Sequence, residues 1–101
     1  MAKDPDFMFS DFGPPETSGV YGVYISSKKT DRKKLVYIGS SKNIKKRVLK
    51  PSHIYRRLFD RVKMFYVVVG YFETIDYKIH EEFLIKENKP FFNIRHNCVV
   101  L

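Results

Sequence analysis

Two runs of β-branched and aromatic residues, SGVYGVYI at 18–25 and LVYIGSS at 35–41, stand either side of a short polar segment. Their pairing limits the fold more than any other feature of the chain. Valine, isoleucine and tyrosine favour the pleated, half-buried surface of a strand, and glycine among them permits close backbone approach. Strands are therefore expected at 19–26 and 35–40, with the polar SSKKTDRKK between them as a hairpin connection. Side chains alternate along a strand, so a hairpin with Tyr21 opposite Tyr37 sets both rings on one face and turns Tyr24 to the other.

Later segments change period. SKNIKKRVLK opens with Ser41 as a candidate N-cap and reads as a short basic helix stopped by Pro51. SHIYRRLFDR spaces Ile54, Leu58 and Val62 by four, which suggests a second short helix. VKMFYVVVGYFE has an unbroken apolar middle, the pattern of a central strand covered on both faces. TIDYKIHEEFLIKENK reads as the longest helix, capped by Thr74 and stopped by Pro90. The expected fold class is α+β, a small mixed or antiparallel three-stranded sheet flanked by helices in the order β-β-α-α-β-α. It occupies residues 18–101 behind an acidic, proline-containing arm at 1–17, with Phe7, Phe9 and Phe12 able to pin that arm to the body.

Charge is distributed unevenly. Residues 28–63 hold fourteen of the nineteen Lys and Arg against Asp31 and Asp60 alone, whereas the whole chain has a formal net charge of +8. A basic block inside a folded chain must occupy part of its surface, and such a patch suits a polyanion, most often nucleic acid. No apolar run approaches the roughly 20 residues of a membrane span, and the start of the chain lacks the order of a secretory signal. One cysteine, Cys98, forms no internal disulfide, and no Cys/His spacing matches a zinc site. These features point to a soluble cytoplasmic protein, nucleoid-associated when bound to DNA.

The long helix poses a polar problem. At 100° per residue Ile75, Ile79 and Phe83 share one face and Tyr77, Leu84 and Ile85 another, so packing on more than one side is expected. Glu81 and Glu82 fall among these residues, and at least one carboxylate should be partly buried. A buried carboxylate needs a cation, a metal ion or hydrogen-bond donors. A salt bridge to a lysine of the same helix would satisfy it, as would the metal of a magnesium-dependent phosphodiesterase.

The ordered set GVY at 19–21, YIGSSKNIKKR at 37–47, EEFLIK at 81–86 and PFFN at 90–93 resembles the GIY-YIG nuclease family over residues 18–95. In motif it is most similar to the endonuclease domain of bacterial excision-repair nucleases of the UvrC type. The resemblance implies a metal-dependent DNA endonuclease that hydrolyses a phosphodiester by in-line attack of water, using Mg²⁺ with Mn²⁺ as a substitute. Tyr21 corresponds to the tyrosine that activates or positions the water, and Tyr37 to the one that hydrogen-bonds water or phosphate. Arg47 corresponds to the arginine that stabilises developing phosphate charge, for which its planar fork suits it better than lysine. The family pattern favours Glu81 over Glu82 as the metal-binding carboxylate. Asn93 and Gly19 are implied as supporting residues, and Gly39 as the glycine that lets the backbone turn into the basic helix. An unperturbed phenol leaves little phenolate near neutral pH, so Tyr21 needs a partner.

Several positions depart from the family pattern. The fifteen residues between Tyr21 and Tyr37 are more than is common in the family, and the longer tip is expected to touch DNA. Pro51 stands where many members carry a His or Tyr; His53 or Tyr55 can supply that group, with His53 preferred as proton carrier because its charge changes near neutral pH. Ser40 replaces the lysine of UvrC-type members. Lys33, Lys34, Lys42, Lys45, Lys46, Arg56 and Arg57 are the candidate contacts to DNA, expected to be double-stranded. The alternative is a fold-sharing nucleic-acid-binding module with weak or no chemistry that needs a partner subunit. A homodimer or a recruiting protein is a further candidate source of specificity.

Overall fold

The computed structural model describes residues 7–10, 13–27, 33–50, 53, 65–90 and 92–93. The tip of the hairpin, the second short helix expected after Pro51, Phe12 and the apolar ending CVVL lie outside the described residues. Three strands, β1 (Gly19–Ser27), β2 (Lys33–Ser41) and β3 (Phe65–Glu73), form an antiparallel sheet, with helices α1 (Ile44–Val48) and α2 (Tyr77–Asn88). The fold class is α+β.

The hairpin forms as expected, although its strands reach further into the polar segment, to Ser27 and Lys33. The strand order is β2-β1-β3, so β1, not β3, is central. The apolar run of β3 has a different cause. Val67, Val69 and Tyr71 pack into one cluster and Val68 and Phe72 into another, so both faces are covered although the strand lies at the edge. Part of its outer edge is closed by the arm: the Met8 N–H donates to the Tyr71 carbonyl at 2.7 Å and the Tyr71 N–H to the Met8 carbonyl at 2.9 Å. Unpaired edges attract other chains, and this bridge blunts one.

Each sheet face holds its own core. Tyr21, Val23 and Val36 pack with Ile44 and Val48 of α1 on one face. Val20, Tyr24 and Ile38 pack with Ile85 of α2 and Phe7 of the arm on the other. Phe7 is pinned as expected, its ring stacked on Phe72 at 5.7 Å and edge-on to Tyr24 at 6.3 Å. A buried side chain of this size contributes about 1.5–3 kcal/mol over an exposed one, and the Met8–Tyr71 backbone bonds and the Phe9 ring against Tyr24 help to hold the arm.

The helix caps differ from expectation. Asn43, not Ser41, caps α1, its Oδ1 accepting the Lys46 N–H at 3.0 Å, while the Ser41 hydroxyl bonds the Asn43 backbone. Two further amides of α1, those of Ile44 and Lys45, donate to the carbonyls of Thr17 and Pro15, each at 3.0 Å. Thr74 does not cap α2, which starts at Tyr77; its hydroxyl accepts the Asp76 N–H at 3.2 Å and shapes the preceding turn. Lys89 takes the left-handed conformation at the helix end, and Pro90 follows.

The expectation that α2 packs on more than one side is corrected. Tyr77, Leu84 and Ile85 face the sheet, but Ile75, Ile79 and Phe83 are exposed by 87%, 70% and 61%. Sequence periodicity identifies two apolar stripes but not how many surfaces are available to receive them. No helix among the described residues is long and apolar enough to cross a membrane.

Candidate active site

The register of the hairpin places the two motif tyrosines. Tyr21 pairs with Gly39, and Tyr37 pairs with Val23, one step along the same face. Tyr21 is thus diagonal to Tyr37 rather than opposite it. A bulge beyond Val23, where the partner residue jumps from Tyr37 to Leu35, does not disturb this part of the ladder. The two rings lie 6.3 Å apart between centroids.

Gly39 explains how a full phenol fits there. A Cβ on Gly39 would lie 2.4 Å from the Tyr21 hydroxyl oxygen and 2.5 Å from Cζ, so the Tyr21 ring lies across the bare glycine backbone. The sequence reading that Gly39 turns the chain into the helix is corrected: it sits inside β2 and makes room for Tyr21. Gly19, in contrast, is wedged against the Phe72 carbonyl oxygen and Ile44 and serves packing at the strand end.

His53 completes the buried end of the site. It is 4% exposed, and its Nε2 lies 2.6 Å from the Tyr21 hydroxyl. Its ring also packs edge-on to Tyr37 at 5.8 Å. Burial, followed by the nearby Arg47 charge, pushes the His53 pKa down to about 4, so the imidazole is neutral near pH 7. The phenol moves the opposite way. Burial, then the neighbouring Tyr37, push the Tyr21 pKa well above its ordinary value, opposed by Arg47, which also hydrogen-bonds the hydroxyl; Glu81 adds a smaller upward push. Tyr37 is raised too, by burial first and then by Glu81.

Arg47 projects from α1 and is exposed, so its guanidinium meets the tyrosines on one side and solvent on the other. Lys42, Lys46 and Lys50 join it with Ser41 and Asn43 around a shallow groove of about 280 Å³. Sequence reading missed Lys50, although its spacing of three and four from Arg47 and Lys46 puts it on the same side of a helix. Lys33, Lys34 and Lys45 are exposed elsewhere, and Lys33 sits 4.5 Å from the centre of the Phe9 ring. Arg56, Arg57 and Tyr55 lie outside the described residues.

Glu81 comes from α2, half-buried, while Glu82 is exposed. Among the described residues its hydrogen-bond partner is not a lysine. The Ser40 hydroxyl donates to Glu81 Oε2 and so fixes the carboxylate beside the tyrosines. Ser40, noted in the sequence only as a replaced lysine, is thus a component of the site. Asn93 does not reach the tyrosines. Its amide clamps Ile38, Oδ1 accepting the Ile38 N–H and Nδ2 donating to the Ile38 carbonyl, both at 2.7 Å, while the Phe92 N–H donates to the Val36 carbonyl at 2.8 Å. This segment satisfies the outer edge of β2 beside Tyr37 and holds the strand that carries it.

Among the described residues no three His, Cys, Asp or Glu side chains converge as in a metal cage built wholly by protein. A single anchored carboxylate nevertheless suits Mg²⁺, which is commonly bound through one or two carboxylates together with waters and substrate phosphates. Set against models of known families, curated proteins and solved structures, the chain matches none of them.

Proposed function

We propose that the chain is a GIY-YIG-type, metal-dependent DNA endonuclease, with the β-β-α-α-β-α order of that fold. The observation that carries this reading is convergence. Tyr21, Tyr37, Arg47, His53 and Glu81, spread over sixty positions of sequence, meet around one phenol; four stand at motif positions, and in this reading His53 supplies the group that Pro51 cannot.

In this reading Tyr21 does not act as a standing phenolate, because burial keeps it protonated. In the tautomer with the ring proton on Nδ1, His53 Nε2 accepts from the Tyr21 hydroxyl; the phenol oxygen, which also accepts from Arg47, keeps a second lone pair to accept a proton from an attacking water. The proton then passes from water to Tyr21 and from Tyr21 to His53. A phosphate arriving at Arg47 neutralises one of the two causes that hold the His53 pKa down, so substrate binding raises the basicity of the relay. Arg47 stabilises the charge that develops on the phosphoryl oxygens, while Lys42, Lys46 and Lys50 receive the neighbouring strand. Glu81, with the oxygen not bonded to Ser40, would hold Mg²⁺. When bound, the ion supplies charge neutralisation at the phosphate.

A binding module without chemistry draws on one feature, the Ser40 bond that occupies part of the Glu81 carboxylate. Supercoiled plasmid separates the readings. The wild-type chain is expected to convert it to nicked or linear DNA with Mg²⁺ or Mn²⁺ and to stop in EDTA. Arg47→Ala and Glu81→Ala should abolish conversion while retaining most DNA binding. Undiminished cleavage by Glu81→Ala overturns the site assignment, and wild-type binding without cleavage supports the module. Under either reading, binding should weaken steeply with salt.

A further inference from the structure

We propose that Phe7 is a positioning residue for Arg47: seated on one face of the sheet, it anchors an arm whose carbonyls set the roll of α1 on the other. Its effect on cleavage rests on the nuclease reading above, whereas the tether itself does not. The seat is made for this side chain. Gly22 and Gly70 are register partners on β1 and β3. A Cβ on Gly22 would lie 2.6 Å from Phe7 Cε2 and one on Gly70 2.7 Å from Phe7 Cβ, so Phe7 rests on bare backbone. Met8 then joins the edge of β3 through its two bonds to Tyr71, and Gly13, at φ 82°, turns the chain with its N–H on the Ser10 carbonyl at 3.1 Å. At α1 the Pro15 carbonyl accepts the Lys45 N–H and the Thr17 carbonyl the Ile44 N–H, each at 3.0 Å. Thr17 stands two residues before β1 and is held by the strand, whereas Pro15 relies on the anchored arm.

A helix of five residues is too short to be stable by itself, so α1 depends on its surroundings. Its buried side chains are Ile44 and Val48, which lie one turn apart on a single line along the helix. Two points on one line hold the helix against the sheet but leave its roll about that line open. The bond from Lys45 to Pro15 lies off the line and closes that freedom. Arg47 stands beside Val48 on the flank of the helix, and its guanidinium hydrogen-bonds the Tyr21 hydroxyl. A group at the helix surface, about 5–6 Å from the axis, moves by roughly 1.5 Å for a roll of about 15°. A misplacement of about 1 Å can slow a reaction about 100-fold. The two faces of the sheet are thus coupled through the arm.

NMR relaxation of the full 101-residue chain, with single-turnover nicking of supercoiled plasmid beside it, tests the tether. In the wild type the Lys45, Lys46 and Arg47 amides are expected to be as rigid as the strands, with order parameters of about 0.85. Phe7→Ala removes the anchor, and Met8→Pro removes one edge bond at an exposed position without touching the core. In both variants the α1 amides should fall to about 0.7 or below while β1 and β2 keep their values. Cleavage at saturating DNA should fall at least about tenfold, with DNA affinity little changed. Phe7→Leu should keep both readouts near wild type. Ile85→Ala removes apolar bulk from the same core and should leave both unchanged in the folded protein, which separates the tether from lost stability. An α1 equally rigid in wild type, Phe7→Ala and Met8→Pro overturns the tether, as does the same loosening in Ile85→Ala. Loosening without loss of cleavage overturns the positioning of Arg47. A wild type that never nicks overturns the nuclease reading, and the order parameters then decide the tether alone.

Discussion

The two faces of the sheet are built from the same strands yet hold different chemistry. Tyr21 and Tyr24 lie three residues apart on β1, both buried. Tyr24 faces Phe7 and Phe9 of the arm in an aromatic cluster. Tyr21 faces His53, Tyr37 and Arg47, and its hydroxyl is the junction of a polar network. Burial of a hydroxyl is costly unless it is hydrogen-bonded, so a face that concentrates phenols and an imidazole needs a built set of partners. The arm-and-α2 face secures the sheet and lends Glu81 from α2, and the α1 face holds the phenols and the imidazole in fixed positions.

The largest expected effect falls on the structural face. Ile85→Ala leaves a cavity under α2 and should cost about 2–5 kcal/mol in urea unfolding, with nicking by the remaining folded protein little changed. Gly39→Ala on the other face forces the Tyr21 ring aside and should cost about 1–3 kcal/mol. Unlike Ile85→Ala, it should also remove nicking at temperatures where the variant is fully folded.

His53 distinguishes the faces by pH. Its folded pKa of about 4 lies below the ordinary value of 6.5. The unfolded chain therefore takes up this proton first, so the stability from burying neutral His53 is complete above pH 6.5 and declines as pH falls toward 4. Urea midpoints between pH 7 and pH 4 should drop more steeply for the wild type than for His53→Gln; parallel curves would contradict the burial of a neutral ring. The smallest effect is expected from Asn43→Ala, which removes the cap that begins α1 and should cost about 1 kcal/mol, with a modest loss of nicking as Arg47 loosens.

Much of this contrast was legible in the sequence. Alternation along β1 puts Tyr21 and Tyr24 on opposite faces without any structure, and Thr74 and Pro90 bracket the long helix to within a few residues. The site could be assembled only in part. Tyr21 and His53 are 32 positions apart, and no local pattern states that one hydroxyl meets the other's Nε2. A bulge has no fixed sequence signature, so the jump from Tyr37 to Leu35 opposite Val23 and Tyr24 was not legible. The role of Gly39 depends on where the Tyr21 ring falls across the sheet, which is a tertiary fact. Ser40 was read through the lysine it replaces, whereas its hydroxyl holds Glu81. The unbroken apolar run of β3 suggested a central strand because coverage of both faces has the same signature whether or not both edges are paired.

The central claim is that the Tyr21 face carries the proton relay while the Tyr24 face supports the sheet and lends Glu81 from α2, and paired removal of the two hydroxyls tests this most directly. Single-turnover nicking of supercoiled plasmid with Mg²⁺ should fall by at least about 100-fold for Tyr21→Phe and stay at the wild-type rate for Tyr24→Phe, both variants being folded by circular dichroism. Equal rates for the two variants, at whatever level, would contradict it.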